Sequence, residues 1–347
     1  MAGNVTLSRR DALRLFAGGA LHVLLAGGVV GGDYLYTYRT ARPLESAGVA
    51  TAHAASSSGA APWAAKFRDR FSDTVVSTET SYRDANISVE LSHSSVDTGT
   101  LDASSGGKHL GYGSSVSYTL ADVYVSRIEC LQTAFADDTY GVGFEEPLAS
   151  ISARLGSVLA VNGDSYSNNR HKDNGTIIRN GVVYRSAPAT DETCVLYRDG
   201  TMATYLPEEL DPQRLVADGA WQSWVFGPSL LDNGRARTDF YTWSYIRESH
   251  PRTAIGYYEP GHYCLLAVDG RQKSSRGMFL EEMAALFERL GCSLAYNLDG
   301  GHCTFMTLGT TVVSRPYRPD HKVSDAIMVC PPDTKVTVSQ GAGRRSA

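Results

Sequence analysis

The chain has 347 residues, 42% hydrophobic and 20% charged, with a formal net charge of −5, and is long enough to bury one large core or two ordinary ones. That charge, with no long Lys/Arg run, argues against a nucleic-acid binder, whose affinity would come largely from neutralising phosphates. The six cysteines show neither the CxxC nor the Cys/His spacing of a zinc cluster.

At the N-terminus Arg9, Arg10 and Arg14 precede a mostly uncharged stretch over 15–32, and Tyr34, Tyr36 and Tyr38 follow it. Residues 1–40 read as an uncleaved signal anchor that holds a single-pass protein in the cell membrane with its domain outside, although six glycines make the run marginal for a spanning helix. Ser8-Arg9-Arg10-Asp11 also looks like the start of a twin-arginine export signal, and secretion is the alternative. Residues 41–115 are expected to be a flexible tether and a Ser/Gly-rich loop region, with a short amphipathic helix at 64–71.

Order is expected from 116 onward. Val123, Val125, Ile128 and Leu131 suggest strands, and 147–155 a short helix. Residues 157–161 form an apolar run that ends in Asn162-Gly163-Asp164. Asn180-Gly181 between two β-branched runs is a hairpin signal, and Asp199-Gly200 repeats it. Trp221, Trp224 and Phe226 are candidates for a sugar subsite or for the core. Residues 263–268 form a strand that ends in Asp269-Gly270-Arg271. Phe279, Met283, Leu286, Phe287 and Leu290 recur at helical spacing, and Gly291 stands where a glycine stops a helix. The next strand ends in Asn297-Leu298-Asp299-Gly300-Gly301.

Strand, helix, strand of this length reads as a crossover between parallel strands, which finish at one sheet edge. Asp269 and Asp299 would then face one crevice with Arg271, joined by Asn162 and Asp164. Neighbouring carboxylates can have their proton affinities pushed apart into an acid and a base. Arg252 and Arg271 suit a phosphate, whose oxygens match the guanidinium fork. The plainer readings are Asp-Gly turns and an Asp–Arg ion pair at a sheet edge. His302-Cys303 invites a cysteine-nucleophile reading, but neighbours on extended backbone point to opposite faces. The cysteines are open between disulfides and buried thiols, Cys264 and Cys292 lying in apolar runs.

The ordered set Val161-Asn162-Gly163, Phe226-Gly227-Pro228 with Asn233-Gly234, Arg252-Thr253-Ala254-Ile255-Gly256, Val268-Asp269-Gly270-Arg271 and Asn297-Leu298-Asp299-Gly300-Gly301 resembles the phosphodiester glycosidase family over about 116–332, before a polar tail at 333–347. The resemblance implies a single α+β domain with a mixed β-sheet and packed helices. It implies hydrolysis of a sugar-1-phosphodiester, with an N-acetylglucosamine-type glycone, on an exopolysaccharide, cell-wall polymer or other glycan. Asp299 would do acid/base chemistry with Asp269 assisting. Arg252 and Arg271 would hold the phosphate, Asn162 and Asn297 would orient substrate, and Asp164, Gly300, Gly301, His302 and Thr304 would complete the site. No cofactor is required, a divalent metal near the aspartates being an open alternative. The chain departs from the family pattern at Asp164-Ser165-Tyr166, at His302-Cys303-Thr304 and around Arg315-Pro316. A non-catalytic glycan-binding protein of envelope assembly is the competing reading.

Overall fold

The structure, a computed structural model, describes residues 42–43, 63–166 and 173–339; the expected signal anchor and most of the tether lie outside the described residues. Strands β1 (Val76–Ser77), β2 (Ser81–Arg83), β3 (Ile87–Asp97) and β4 (Ser115–Val125) form a meander. After it come β5 (Leu131–Phe135), helix α1 (Leu148–Leu155) and β6 (Leu159–Asn162). The hairpin of β7 (Ile177–Arg179) and β8 (Val182–Arg185) turns at Asn180-Gly181, both with positive φ, as the sequence predicts. A three-stranded unit follows: β9 (Thr193–Tyr197), β10 (Met202–Tyr205) and, after helix α2 (Pro212–Ala217), β11 (Ala220–Trp224). The last third runs β12 (Arg252–Glu259), β13 (His262–Val268), helix α3 (Leu280–Leu290), β14 (Leu294–Asn297), β15 (Met306–Leu308), β16 (Thr311–Val312) and β17 (Asp325–Val329).

Side-chain alternation along the strands sorts the interior into layers. A seven-stranded sheet in the order β14-β12-β13-β4-β3-β2-β1 faces a five-stranded sheet in the order β16-β15-β6-β17-β5. On β13, Tyr263, Leu265 and Ala267 point into the core between the sheets, with Val89 and Val123 of the same sheet and Val161 and Ile327 of the other. Cys264, Leu266 and Val268 point the opposite way, onto Met283, Leu286 and Phe287 of α3. The five-stranded sheet repeats the device: Ala160, Ala326 and Met328 turn outward onto Leu148 and Ile151 of α1. Helix, sheet, sheet and helix therefore stack as four layers, each fully buried Leu, Ile, Val or Phe contributing about 1.5–3 kcal/mol. Helix α3 is capped at its start by the Glu282 side chain, which accepts from the Phe279 N–H, and stops at Gly291, whose φ of 80° fits a glycine.

The fold departs from the sequence reading in three places. The region 72–113, read as loop, contains the 11-residue strand β3, paired along its whole length with β4. Its Ile87, Val89 and Leu91 alternate into the core, but the following Ser-rich stretch hides the pattern in a compositional reading, and the domain starts well before 116. The crossover β13-α3-β14 does join strands that run in the same direction, yet β12 lies between them, antiparallel to both. Every ladder between these strands is antiparallel instead of mixed, because the tight Glu259-Pro260-Gly261 turn lets β12 claim the place beside β13. The polar tail is docked at its start: Val336 and Val338 pack on core side chains, and the Ser339 N–H donates to Asp138 O. All six cysteines are free thiols; Cys264 and Cys292 are buried on the helix side with sulfurs 3.7 Å apart. Among the described residues no helix is long and apolar enough to cross a membrane.

One buried ion pair ties the hairpin to the second sheet. Arg179 donates through Nε (3.0 Å) and Nη2 (2.7 Å) to Asp325 Oδ2, and both side chains are buried. Removing one partner strands a charge, so Arg179→Leu is expected to lower unfolding free energy by ~3–5 kcal/mol, measured by denaturant titration.

Candidate active site

Strand direction gathers the site. β13 and β14 both end where β12 begins, since Arg252 pairs with Val268 and Ala254 with Asn297. Arg252, Arg271 and Asp299 consequently meet at one end of the seven-stranded sheet, and with Gly300, Gly301 and His302 they line a cavity of about 180 Å³. Asp269 takes a different course. It follows Val268 by one residue, and alternation turns its side chain to the opposite face, where Oδ1 accepts the Arg315 N–H at 2.8 Å. Burial raises its proton affinity, with the Arg315 amide and charge and His93 opposing, but it does not line the cavity with Asp299.

The cavity has two unlike walls. One is aromatic: Phe226, Trp243 and Tyr245 line it, and Trp243 and Tyr245 are 38% and 47% exposed. The other is cationic. Arg252, 2% exposed, donates from Nε to Met278 O (3.1 Å) and from Nη2 to Ile246 O (2.5 Å) and Glu248 O (2.7 Å). Burial and the neighbouring Arg271 pull its proton affinity down to about 9, which leaves it charged at neutral pH. Arg271 donates from Nη2 to Tyr245 Oη at 2.9 Å and lies over the Tyr317 ring. Neither arginine pairs with a carboxylate among the described residues, so neither charge is neutralised by an ion pair. Burial, then Arg271, His321 and Arg318, lower His302 to about 4; it is a neutral imidazole at pH 7.

Asp299 sits part-buried between the walls. Burial, reinforced by Asp164 and Asp325, pushes its carboxyl up to about 7, against the Cys303 thiol and the Gly300 N–H, which bonds Oδ1 at 2.9 Å. A carboxyl poised there exchanges a proton at physiological pH. Cys303 is itself driven far above the ordinary thiol range by burial and by Asp299, which argues against a thiolate nucleophile.

The remaining expected residues stand behind the cavity. Asn162 Nδ2 donates to Asp299 O (2.6 Å) while its Oδ1 accepts from Thr253 Oγ1 (2.6 Å) and Phe305 N (3.2 Å), tying both sheets to the turn that carries Asp299. Asn297 Nδ2 donates to Gly227 O at 2.6 Å and so fixes the loop that carries Phe226. Asp164 Oδ2 accepts the Val225 N–H at 2.7 Å, and its own N–H donates to Asp325 Oδ1 at 2.7 Å. Thr304 is buried. These residues position; they do not line the cavity. Gly300 is needed for backbone packing more than for ligand approach: a Cβ there would lie 2.6 Å from Pro251 O, which the Gly301 N–H binds at 2.9 Å.

Of the aromatic candidates, Trp221 and Trp224 are core, and Phe226 alone reaches the cavity. Trp243, Tyr245 and His250 escaped the sequence reading; the aromatic density of Tyr241-Thr-Trp-Ser-Tyr245, a loop just before Arg252, is the signal that marks them. No group of three or more His, Cys, Asp or Glu among the described residues is arranged to hold a metal ion. A larger groove, about 750 Å³, lies between the sheet edges near Ser77, Tyr82 and Thr311, with Glu79 as its one carboxylate.

The fold is similar to that of the zebrafish N-acetylglucosamine-1-phosphodiester alpha-N-acetylglucosaminidase catalytic domain, auto-inhibited by its pro-peptide, with a TM-score of 0.51 and 18% identity over 71% of this chain and 88% of that one. A hypothetical protein from Synechocystis aligns with a TM-score of 0.48 and 15% identity over 71% of this chain and 62% of that one. In sequence, the chain is 35% identical over 167 residues to the SPbeta prophage-derived uncharacterized protein YomE of Bacillus subtilis (strain 168), a match over 47% of this chain and 26% of that protein; the chain thus spans about a quarter of that relative's length. The sequence profile of the phosphodiester glycosidases matches residues 155–330, just over half of the chain and the part that carries Asn162, Arg252, Arg271 and Asp299. On that match the chain belongs to the phosphodiester glycosidase family.

Proposed function

We propose that the chain hydrolyses a sugar-1-phosphodiester, with an N-acetylglucosamine-type sugar, on an envelope polysaccharide or other glycan, and that its N-terminal segment tethers it outside the membrane. The observation that carries this reading is the conjunction in one cavity of Asp299, pushed up to about 7, two arginines without carboxylate partners and an aromatic wall. A sugar ring stacks on aromatic side chains, and a phosphate diester takes charge-assisted hydrogen bonds from guanidinium groups. The phosphate leaves as a stable anion held by Arg252 and Arg271, so its departure needs little protonation. The bond from the anomeric carbon to the phosphate oxygen breaks with its electron pair going to phosphate. Water adds to that carbon as Asp299 takes its proton.

The test incubates the protein with a panel of sugar-1-phosphodiesters, nucleotide sugars included, beside Asp299→Asn. Release of free sugar by the parent alone supports hydrolysis and identifies the sugar. Binding of the same compounds by both proteins with turnover by neither establishes instead the glycan-binding reading, which the His302-Cys303 departure from the family pattern favours.

A further inference from the structure

His250, 3% exposed, lines the cavity beside the two arginines. Reciprocal backbone hydrogen bonds with Met278, at 3.2 and 3.0 Å, hold its place. Its Nε2 is 2.8 Å from Tyr245 O, and its Nδ1 is 3.3 Å from Arg271 Nη2. A carbonyl only accepts and a guanidinium only donates. The two contacts are both satisfied by one form of the ring, with the proton on Nε2 and a lone pair on Nδ1. Burial and the charge of Arg252, with Arg271 and His109 adding to it, lower the ring to about 3 against the pull of the Tyr245 carbonyl. His250 therefore stays neutral wherever Asp299 works.

Arg271 is held by Nδ1 of His250, by Tyr245 Oη and by the face of Tyr317, all of them uncharged. A carboxylate would orient the guanidinium as well, but it would also neutralise the charge that an anion needs. Further back, Asp102 accepts from the Ser249 N–H (3.0 Å), Ser249 Oγ (2.7 Å) and His109 Nδ1 (2.8 Å). The His109 ring meets that of His250 edge-on at 5.8 Å. The loop between β3 and β4 thus braces the segment that carries His250.

We propose that His250 is a positioning residue for the phosphate group: as a neutral acceptor fixed in its Nε2–H form, it aims Arg271 into the cavity with its charge unspent. The proposal rests on the phosphodiester reading. It is tested on the full-length protein with inorganic phosphate and N-acetylglucosamine as separate probes. His250→Phe removes the acceptor, whereas His250→Asn offers Oδ1 near the place of Nδ1. Phosphate affinity is expected to fall about 10-fold in the Phe variant, the worth of one hydrogen bond to a charged group. KM should rise with kcat changing less than about threefold, affinity for the neutral sugar should hold, and the Asn variant should keep most of the phosphate affinity.

Equal phosphate affinity in both variants and the parent, or equal loss in both, overturns the proposal. A parent protein that takes up no phosphate overturns the phosphodiester reading and the proposal with it. Should the Phe variant fail to fold, the nitrogen chemical shifts of His250 in the parent decide: an unprotonated Nδ1 that responds to added phosphate supports the proposal, and a protonated Nδ1 at pH 7 overturns it.

Discussion

Replacing Asp299 by Asn lowers kcat by ~10²–10⁴-fold, the range carried by a general base, while inorganic phosphate still binds at the arginines. In the parent protein the rate rises with pH through about 7, because the base works only when ionised and burial has pushed its carboxyl up to about 7. The same shift has a consequence for stability with a definite sign. An unfolded Asp ionises near pH ~3.9, so between about 4 and 7 the folded chain holds a proton that the unfolded chain has lost. Stability therefore falls as pH rises through that window, and the whole penalty is present above about 7. Asn carries no such penalty. The variant is expected to be more stable than the parent at pH 8, on the order of 1–3 kcal/mol, and equal to it near pH 3.5. Thermal unfolding at the two pH values checks this, and a variant less stable at pH 8 would contradict it.

Arg271→Gln removes half of the cationic wall and leaves the fold, since the side chain is only part-buried and no ion pair is lost. KM for a phosphodiester rises ~10–100-fold, the worth of charge-assisted hydrogen bonds at ~1.5–3 kcal/mol. A second readout reports the charge directly. Arg271 is the largest charged influence holding His302 down at about 4, so the His302 titration moves upward in the variant, toward its ordinary range. Titration by nuclear magnetic resonance checks this, and an unmoved His302 would show that Arg271 does not face the cavity.

Much of this arrangement is legible in the residues. Strand ends marked by Asn162, Asp269 and Asp299 are readable because apolar runs stop abruptly at polar turns. The α3 stripe and its Gly291 stop follow from helical spacing, and the Asn180-Gly181 hairpin from turn chemistry. What escapes the sequence is tertiary. Whether Asp269 faces the cavity depends on a single step of strand alternation beyond Val268. That β12 lies between β13 and β14 is a choice of pairing that direction alone leaves open. β3 hides because its alternation of Ile87, Val89 and Leu91 is short and runs straight into a Ser-rich half whose side chains are mostly exposed. His250 is recognisable only once Tyr245 O and Arg271 Nη2 are seen on its two ring nitrogens.

The most direct test of the central claim is hydrolysis of a sugar-1-phosphodiester in oxygen-18 water. Cleavage between the anomeric carbon and oxygen, with Asp299 activating the water, places the label on the released sugar and none on the phosphate. Label on the phosphate would show attack at phosphorus and contradict the account.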